Sequence, residues 1–254
     1  MNFLIVNDDG IDSPNLRLLA EMTKAYGDVT IVAPVRQCSA MSQRITVKGI
    51  LEVREVKDYP LPGVKAYSVN GTPADCVKIG LRYCFEEKPD FVFSGINLGI
   101  NVGYDICYSG TVAAAIEGAM HEIPSIAWSM MLGNSFQGVQ EGETAVAKRY
   151  FSEVFEMLQK EPPAYGHIWN VNFPNCAPED CKGILKGLRP ADAPHYADGY
   201  KKVREDEDGG YDLDTFPVMN HEAPEGTDLN AVVNGYISVG DCFNPIMCYG
   251  REKG

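Results

Sequence analysis

The sequence predicts an α/β protein: a parallel sheet covered by helices on both faces. Two observations carry this. Short, wholly apolar runs recur, as strands buried on both faces require. Between them lie segments with a helical apolar stripe, in the β-α-β-α order that parallel strands need for their crossovers.

Residues 3–6 (Phe-Leu-Ile-Val) form the first buried strand. Ser13 and Pro14 then read as an N-cap and a first helical position, Leu18, Leu19, Met22, Ala25 and Tyr26 as the apolar stripe, and Gly27 as the stop. Residues 29–33 are the next buried strand. Residues 45–53 are rich in β-branched side chains and read as a hairpin or an excursion. A strand at 66–69 leads into Thr72, Pro73 and Asp75, which open a helix as a capping box. A strand at 91–93 follows the Lys88-Pro89 turn, an Ala-rich helix spans 111–119, and another strand covers 125–129. Phe151, Val154, Phe155 and Leu158 mark one face of a helix starting near Thr144, and residues 168–173 are the next strand.

Beyond Pro174 the periodicity weakens. The acidic stretch 204–214, around Gly209-Gly210, reads as a solvated, mobile loop. The expected organisation is a single domain over 1–254, with a core of about 1–180 and a C-terminal extension of about 181–254. That extension is expected to mediate self-association, because residues 236–239 make a strand that needs a partner edge.

Composition narrows the function classes. The 254 residues carry a formal net charge of −13, which disfavours a nucleic-acid surface. No apolar run is long enough to span a membrane, and the first ten residues lack the basic start of a secretory signal. Eight irregularly spaced cysteines do not resemble a disulfide framework, so a reduced, cytoplasmic protein is expected.

In an open parallel sheet, ligands bind beyond the carboxyl ends of the strands. The first strand is followed by Asn7-Asp8-Asp9-Gly10. Two carboxylates converging at a strand end repel unless a cation lies between them, and hard oxygen ligands suit Mg²⁺ or Mn²⁺. The rival reading is an Asp-Gly turn that caps the Ser13 helix. After the second strand comes Ser39, which alone reads as a turn residue. The 91–93 strand is followed by a loop with three glycines (Gly95, Gly99, Gly103) and two asparagines (Asn97, Asn101), as close backbone approach to a ligand requires. Tyr108-Ser109-Gly110-Thr111 then opens a helix, whose free N–H groups and hydroxyls make an anion site; plain capping by Ser109 or Thr111 is the alternative. The four histidines show no metal-ligand spacing, and Cys176 with Cys181 is one isolated pair.

Together these blocks resemble the SurE (survival protein E) family: Asn7-Asp8-Asp9-Gly10-Ile11, Gly71-Thr72-Pro73-Ala74-Asp75-Cys76-Val77, Ser94-Gly95-Ile96-Asn97, and Tyr108-Ser109-Gly110-Thr111-Val112-Ala113-Ala114-Ala115 with Glu117-Gly118. Asn170-Val171-Asn172-Phe173-Pro174 and Gly235-Tyr236-Ile237-Ser238-Val239 extend the likeness. The resemblance implies a Rossmann-like α/β domain whose C-terminal extension exchanges a hairpin or helix between subunits, giving a homodimer or homotetramer. It implies a metal-dependent phosphomonoesterase acting on nucleoside 5'- or 3'-monophosphates. The alternatives are an exopolyphosphatase, a general phosphatase or a non-catalytic nucleotide-binding module. It further implies that Asp8, Asp9, Ser39 and Asn97 ligate one divalent cation per subunit, Mg or Mn. Gln43, Asn101, Ser109, Gly110 and Thr111 would line the phosphate and substrate side. The sequence departs from the family where Gln43 replaces the usual Asn, and where Gly240-Asp241-Cys242 follows residue 239 without a downstream His.

Overall fold

A computed structural model describes residues 1–133 and 143–244. Its core elements are β1 (Asn2–Val6), α1 (Pro14–Thr23), β2 (Asp28–Pro34), β3 (Val53–Glu55), β4 (Lys65–Val69), α2 (Pro73–Ile79), β5 (Phe91–Leu98), α3 (Gly110–Met120), β6 (Ser125–Met130), α4 (Ala145–Gln159) and β7 (His167–Phe173). The remainder supplies β8 (Ile184–Leu188), β9 (Tyr196–Glu205), β10 (Tyr211–Met219), α5 (Asp228–Val233) and β11 (Ile237–Phe243).

Nine strands form one sheet in the order β3-β4-β2-β1-β5-β6-β7-β11-β8. The six from β4 to β7 are parallel. β3 joins antiparallel to β4, and β11 lies antiparallel to β7. From β1 the chain steps outward to β2 and β4, then returns to the other side of β1 at β5. The crevice beyond the carboxyl ends of β1 and β5 is therefore the point where the strand order reverses, the usual ligand position in such sheets.

α1 and α4 cover one face, and α2 and α3 the other. The first face is packed by aromatic rings: Phe93 meets Phe155 edge-on, centroids 5.2 Å apart, and Trp128 lies 5.0 Å from Phe151. Edge-to-face pairs add about 0.5–1.5 kcal/mol beyond their buried area.

Several expectations are corrected. The buried face of α1 is Asn15, Leu16, Leu19, Ala20 and Thr23; Leu18 and Met22 are only partly buried, and Ala25 lies past the helix end. The expected stripe started two residues late and ran beyond the helix. Ser13 occupies the N-cap but makes no side-chain capping bond. The 45–53 segment is an excursion, since only residues from Val53 onward pair with β4.

Residues 204–214 are not a loop. β9 and β10, ten and nine residues long, form an antiparallel hairpin, closed by a turn in which Asp206 N–H donates to Gly210 at 2.7 Å. Two of its acidic side chains stand opposite basic ones: Asp212 faces Arg204, and Asp214 faces Lys201. Cross-strand pairing of opposite charges favours the ladder, where a bare charge count suggests solvation. Nor does β11 lack a partner edge. It lies between β7 and β8 of its own chain, bonded to both.

Candidate active site beyond β1 and β5

β1 ends in a tight turn. Asn7 Nδ2 donates to the Gly10 carbonyl at 3.1 Å, and Gly10 N–H donates to Asn7 Oδ1 at 3.2 Å. Gly10 takes φ +100°, a conformation that only glycine adopts cheaply. The turn is held against the end of β2 by Ile11 N–H on the Pro34 carbonyl (2.8 Å) and by Cys38 N–H on the Asp8 carbonyl (2.6 Å). Asp8 and Asp9 thus stand beyond the sheet in fixed positions.

Asp8 is 3% exposed. Thr111, in the first turn of α3, donates its hydroxyl to Asp8 Oδ1 at 2.7 Å. A Cβ on Gly110 would come within 2.9 Å of Asp8 Cβ, so the helix start and the carboxylate are in direct contact. Asp9 Oδ1 accepts from Gln37 Nε2 at 3.3 Å, while Asp9 Oδ2 is buried without a hydrogen-bond partner among the described residues. Burial first, and the Asp9 charge second, push the Asp8 carboxyl up to about 7, against the pull of the Thr111 bond. Burial also raises Asp9, opposed by the Leu98 N–H and Gln37. The reading in which these acids cap α1 fails, because their partners lie on α3 and after β2.

Asn97 ends the same crevice from β5. Its amide Nδ2 donates to the Gly99 carbonyl at 2.8 Å, which leaves Oδ1 as the acceptor end. Ser109 is the N-cap of α3 and accepts from Val112 N–H at 3.1 Å. The capping reading therefore holds for Ser109, while Thr111 takes a role the sequence did not suggest, turning its hydroxyl to Asp8.

Asn101 belongs to a buried polar network instead of pointing to open solvent. Its Nδ2 donates to Ser129 Oγ (2.8 Å), its N–H donates to Asn172 Oδ1 (2.7 Å), and its carbonyl accepts from Asn170 Nδ2 (2.8 Å) and Asn172 Nδ2 (3.2 Å). Sequence reasoning assigned no role to Asn170 and Asn172. The signal was their alternation: two amides on one face of a buried strand demand partners.

Ser39 follows Cys38 in an exposed turn, and no bond from its hydroxyl to Asp8 or Asp9 is seen among the described residues. Gln43 lies apart from the acids, with Oε1 accepting from Asn244 at 3.2 Å. Between them Ser42 pins this turn to the α3 approach, N–H to the Tyr108 carbonyl (2.9 Å) and Oγ to the Cys107 carbonyl (2.8 Å). The histidines find partners elsewhere: His121 pairs with Glu117, His167 with Asp241, and His195 with the Asn220 carbonyl, while the His221 ring meets that of His195 edge-on.

Comparison with known proteins agrees with this architecture. The family model described as survival protein SurE matches residues 3–189. The chain belongs to the SurE family. A protein named 5'-nucleotidase SurE from Clostridium botulinum (strain Kyoto / Type A2) is 38% identical over 239 residues, covering 94% of this chain and 91% of that one. Its namesake from Clostridium botulinum (strain Alaska E43 / Type E3) is 39% identical, with 94% and 92% covered. Among solved structures, the SurE protein of Aquifex aeolicus superposes with a TM-score of 0.80 at 36% identity, covering 100% of this chain and 97% of that one. The SurE match thus contains the Asp8–Asp9 turn, the Asn97 loop and the start of α3.

The donor chemistry fits the divalent cation on which SurE nucleotidases depend in general. Two adjacent carboxylates, Asp8 buried and Asp9 half-buried, both raised and one with an orphaned oxygen, form a pair that a hard cation would satisfy.

Proposed function

We infer that this SurE-family chain is a 5'-nucleotidase, which hydrolyses nucleoside 5'-monophosphates to nucleoside and phosphate. One observation carries the reading: the Asp8–Asp9 pair abuts the first turn of a helix whose end can take an anion. Asp8, Asp9, Ser39 and Asn97 are read as the residues that hold one divalent cation per subunit, Mg²⁺ or Mn²⁺. When bound, that cation supplies charge against the phosphoryl oxygens and acidifies water.

The chain's own residues do the rest. Gly110 is the first helical residue of α3, so its N–H has no partner within the helix and is available to phosphate oxygens. Gly110 lets the phosphate and Asp8 approach the same backbone. Ser109, whose oxygen already accepts from Val112, retains its proton for donation to the phosphate. Such fixed donors stabilise charge that grows on the equatorial oxygens during transfer. Thr111, whose hydroxyl and N–H are both directed at the Asp8 carboxyl, borders the phosphate side and contributes by orienting that carboxylate. Asn101 shapes the loop between Asn97 and the helix, and Gln43 borders the substrate side through the turn that Ser42 holds.

We further read 1–254 as one unit that associates as a homodimer or homotetramer through the extension. The support is the β9–β10 hairpin, which exposes Tyr200, Val203, Tyr211, Leu213, Phe216 and Val218. A cytoplasmic location is supported by the seven free cysteines among the described residues; no helix among them is long and apolar enough to cross a membrane.

The test is phosphate release from AMP with and without Mn²⁺, for the parent protein and Asp9→Asn. Metal-dependent release that Asp9→Asn loses, while still melting cooperatively, supports the assignment. Equal release by both refutes it.

A further inference from the structure

A second polar knot lies at the root of the β9–β10 hairpin. Asp105 sits in the turn after the Asn97 loop, shortly before Ser109. A single oxygen of its carboxylate, Oδ2, accepts from two consecutive backbone amides where β9 begins, His195 at 2.8 Å and Tyr196 at 3.2 Å. Its own backbone carbonyl accepts from Tyr108 N–H and Ser109 N–H, both at 3.1 Å. One residue therefore holds the hairpin root with its side chain and the approach to α3 with its backbone.

Neighbouring contacts join the same two segments. Tyr104 N–H donates to the Ala193 carbonyl at 3.3 Å. Asp228 accepts from Gly103 N–H (3.0 Å) through one oxygen and from Ala191 N–H (2.9 Å) through the other. Any side chain at Gly103 would collide with the Ala193 carbonyl. Ile100 and Val102 pack with Ala191, Leu229 and Val232 in a small apolar cluster beneath. The Tyr196 ring reaches back to Gly99, where its hydroxyl is buried without a hydrogen-bond partner among the described residues.

We propose that Asp105 is a positioning residue of the nucleotidase, which ties the first turn of α3, and so the phosphate cradle, to the root of the hairpin. The proposal rests on the nucleotidase reading for its kinetic consequence. A helix start binds phosphate only while its amides are aimed, and small misplacements near reacting groups are costly. Removing the carboxylate leaves two backbone donors unmade and loosens the turn before α3 against the strand start, beyond the reach of the contacts at Gly103 and Tyr104.

Asp105→Ala is compared with Asp105→Asn, whose one amide oxygen can take the place of Oδ2 and accept from both amides. Asp105→Ala should raise KM for AMP about tenfold, with a smaller change in kcat. Its melting shift on adding Mn²⁺ should exceed that of Thr111→Val, because the Thr111 hydroxyl that holds Asp8 is still present. Asp105→Asn should return KM to within about twofold of the parent. Hydrogen exchange at residues 108–112 should quicken in Asp105→Ala and not in Asp105→Asn. If Asp105→Ala aggregates, Asp105→Ser, too short to reach both amides, replaces it. An unchanged KM in Asp105→Ala, or an equal loss in both variants, overturns the proposal. If the parent releases no phosphate from AMP, the nucleotidase reading falls by itself. Exchange at 108–112 then decides the tie, and unchanged protection in Asp105→Ala refutes it.

Discussion

Asp8 shows how one residue reports its site through pH. In the metal-free protein its carboxyl is raised from 3.8 to about 7 by burial and the neighbouring Asp9 charge. The folded state then holds a proton that the unfolded state has released, so between about pH 4 and pH 7 metal-free stability should fall as pH rises. Melting curves across that range check the sign, and Asp8→Asn should flatten the slope. Mn²⁺ competes with the same proton, so its stabilising shift should be larger at pH 8 than at pH 5, and it should shrink in Asp8→Asn. Thr111 offers a sharper contrast. Thr111→Val removes the donor to Asp8 Oδ1 and should weaken Mn²⁺ binding or activity about 10–100-fold, as outer-shell partners of metal ligands do. Thr111→Ser should retain both, by Mn²⁺ titration and AMP hydrolysis. The acids were legible from the family blocks, while the strand-end position alone left them open between a cation site and an Asp-Gly turn. The role of Thr111 was not legible, since the same hydroxyl at a helix start reads equally well as a cap or a phosphate ligand, and only the contact of the α3 start with the turn after β1 separates them.

At the scale of elements, the start of α3 depends on Gly110 being small. Gly110→Ala should not harm the helix itself, where alanine is the better former. It should push against Asp8 Cβ and Oδ2, 2.9 and 3.0 Å from the new methyl. The expected result is unchanged helical circular dichroism with clearly weaker Mn²⁺ binding. The β9–β10 hairpin supplies the other prediction. Replacing residues 199–216 by a short turn should leave AMP hydrolysis per folded molecule within about threefold and lower the mass seen by light scattering. A full-sized assembly would remove the hairpin from the proposed interface. The buried strands β1, β2, β5, β6 and β7 were legible because apolar runs have no comfortable alternative to a core. The hairpin was misread because two of its acids, Asp212 and Asp214, stand opposite Arg204 and Lys201 across the ladder, and the sequence does not display that register. β11 was recognised as a strand but not placed, since its partners lie far away along the chain.

The molecule as a whole relies on that placement. Asn172 pairs with Ser238 across β7 and β11, and among the described residues β8 is joined to the sheet only through β11. Truncation after Pro178 removes both strands and leaves β7 as a raw edge, so aggregation in place of a soluble dimer is expected by light scattering. In the opposite layer, Phe155→Ala should cost about 3–5 kcal/mol by urea melt, as large-to-small changes in a full core do. The order of these strands also imposes a schedule. β8 leaves the ribosome before β11 and has nothing to bond until β11 arrives, while β7 waits with an open edge. Closing a loop between partners so distant in sequence slows folding more than it lowers stability. During synthesis, then, the half-built sheet presents an adhesive border, and the nascent chain is most in need of a holding chaperone after β7 has emerged and before β11 has docked.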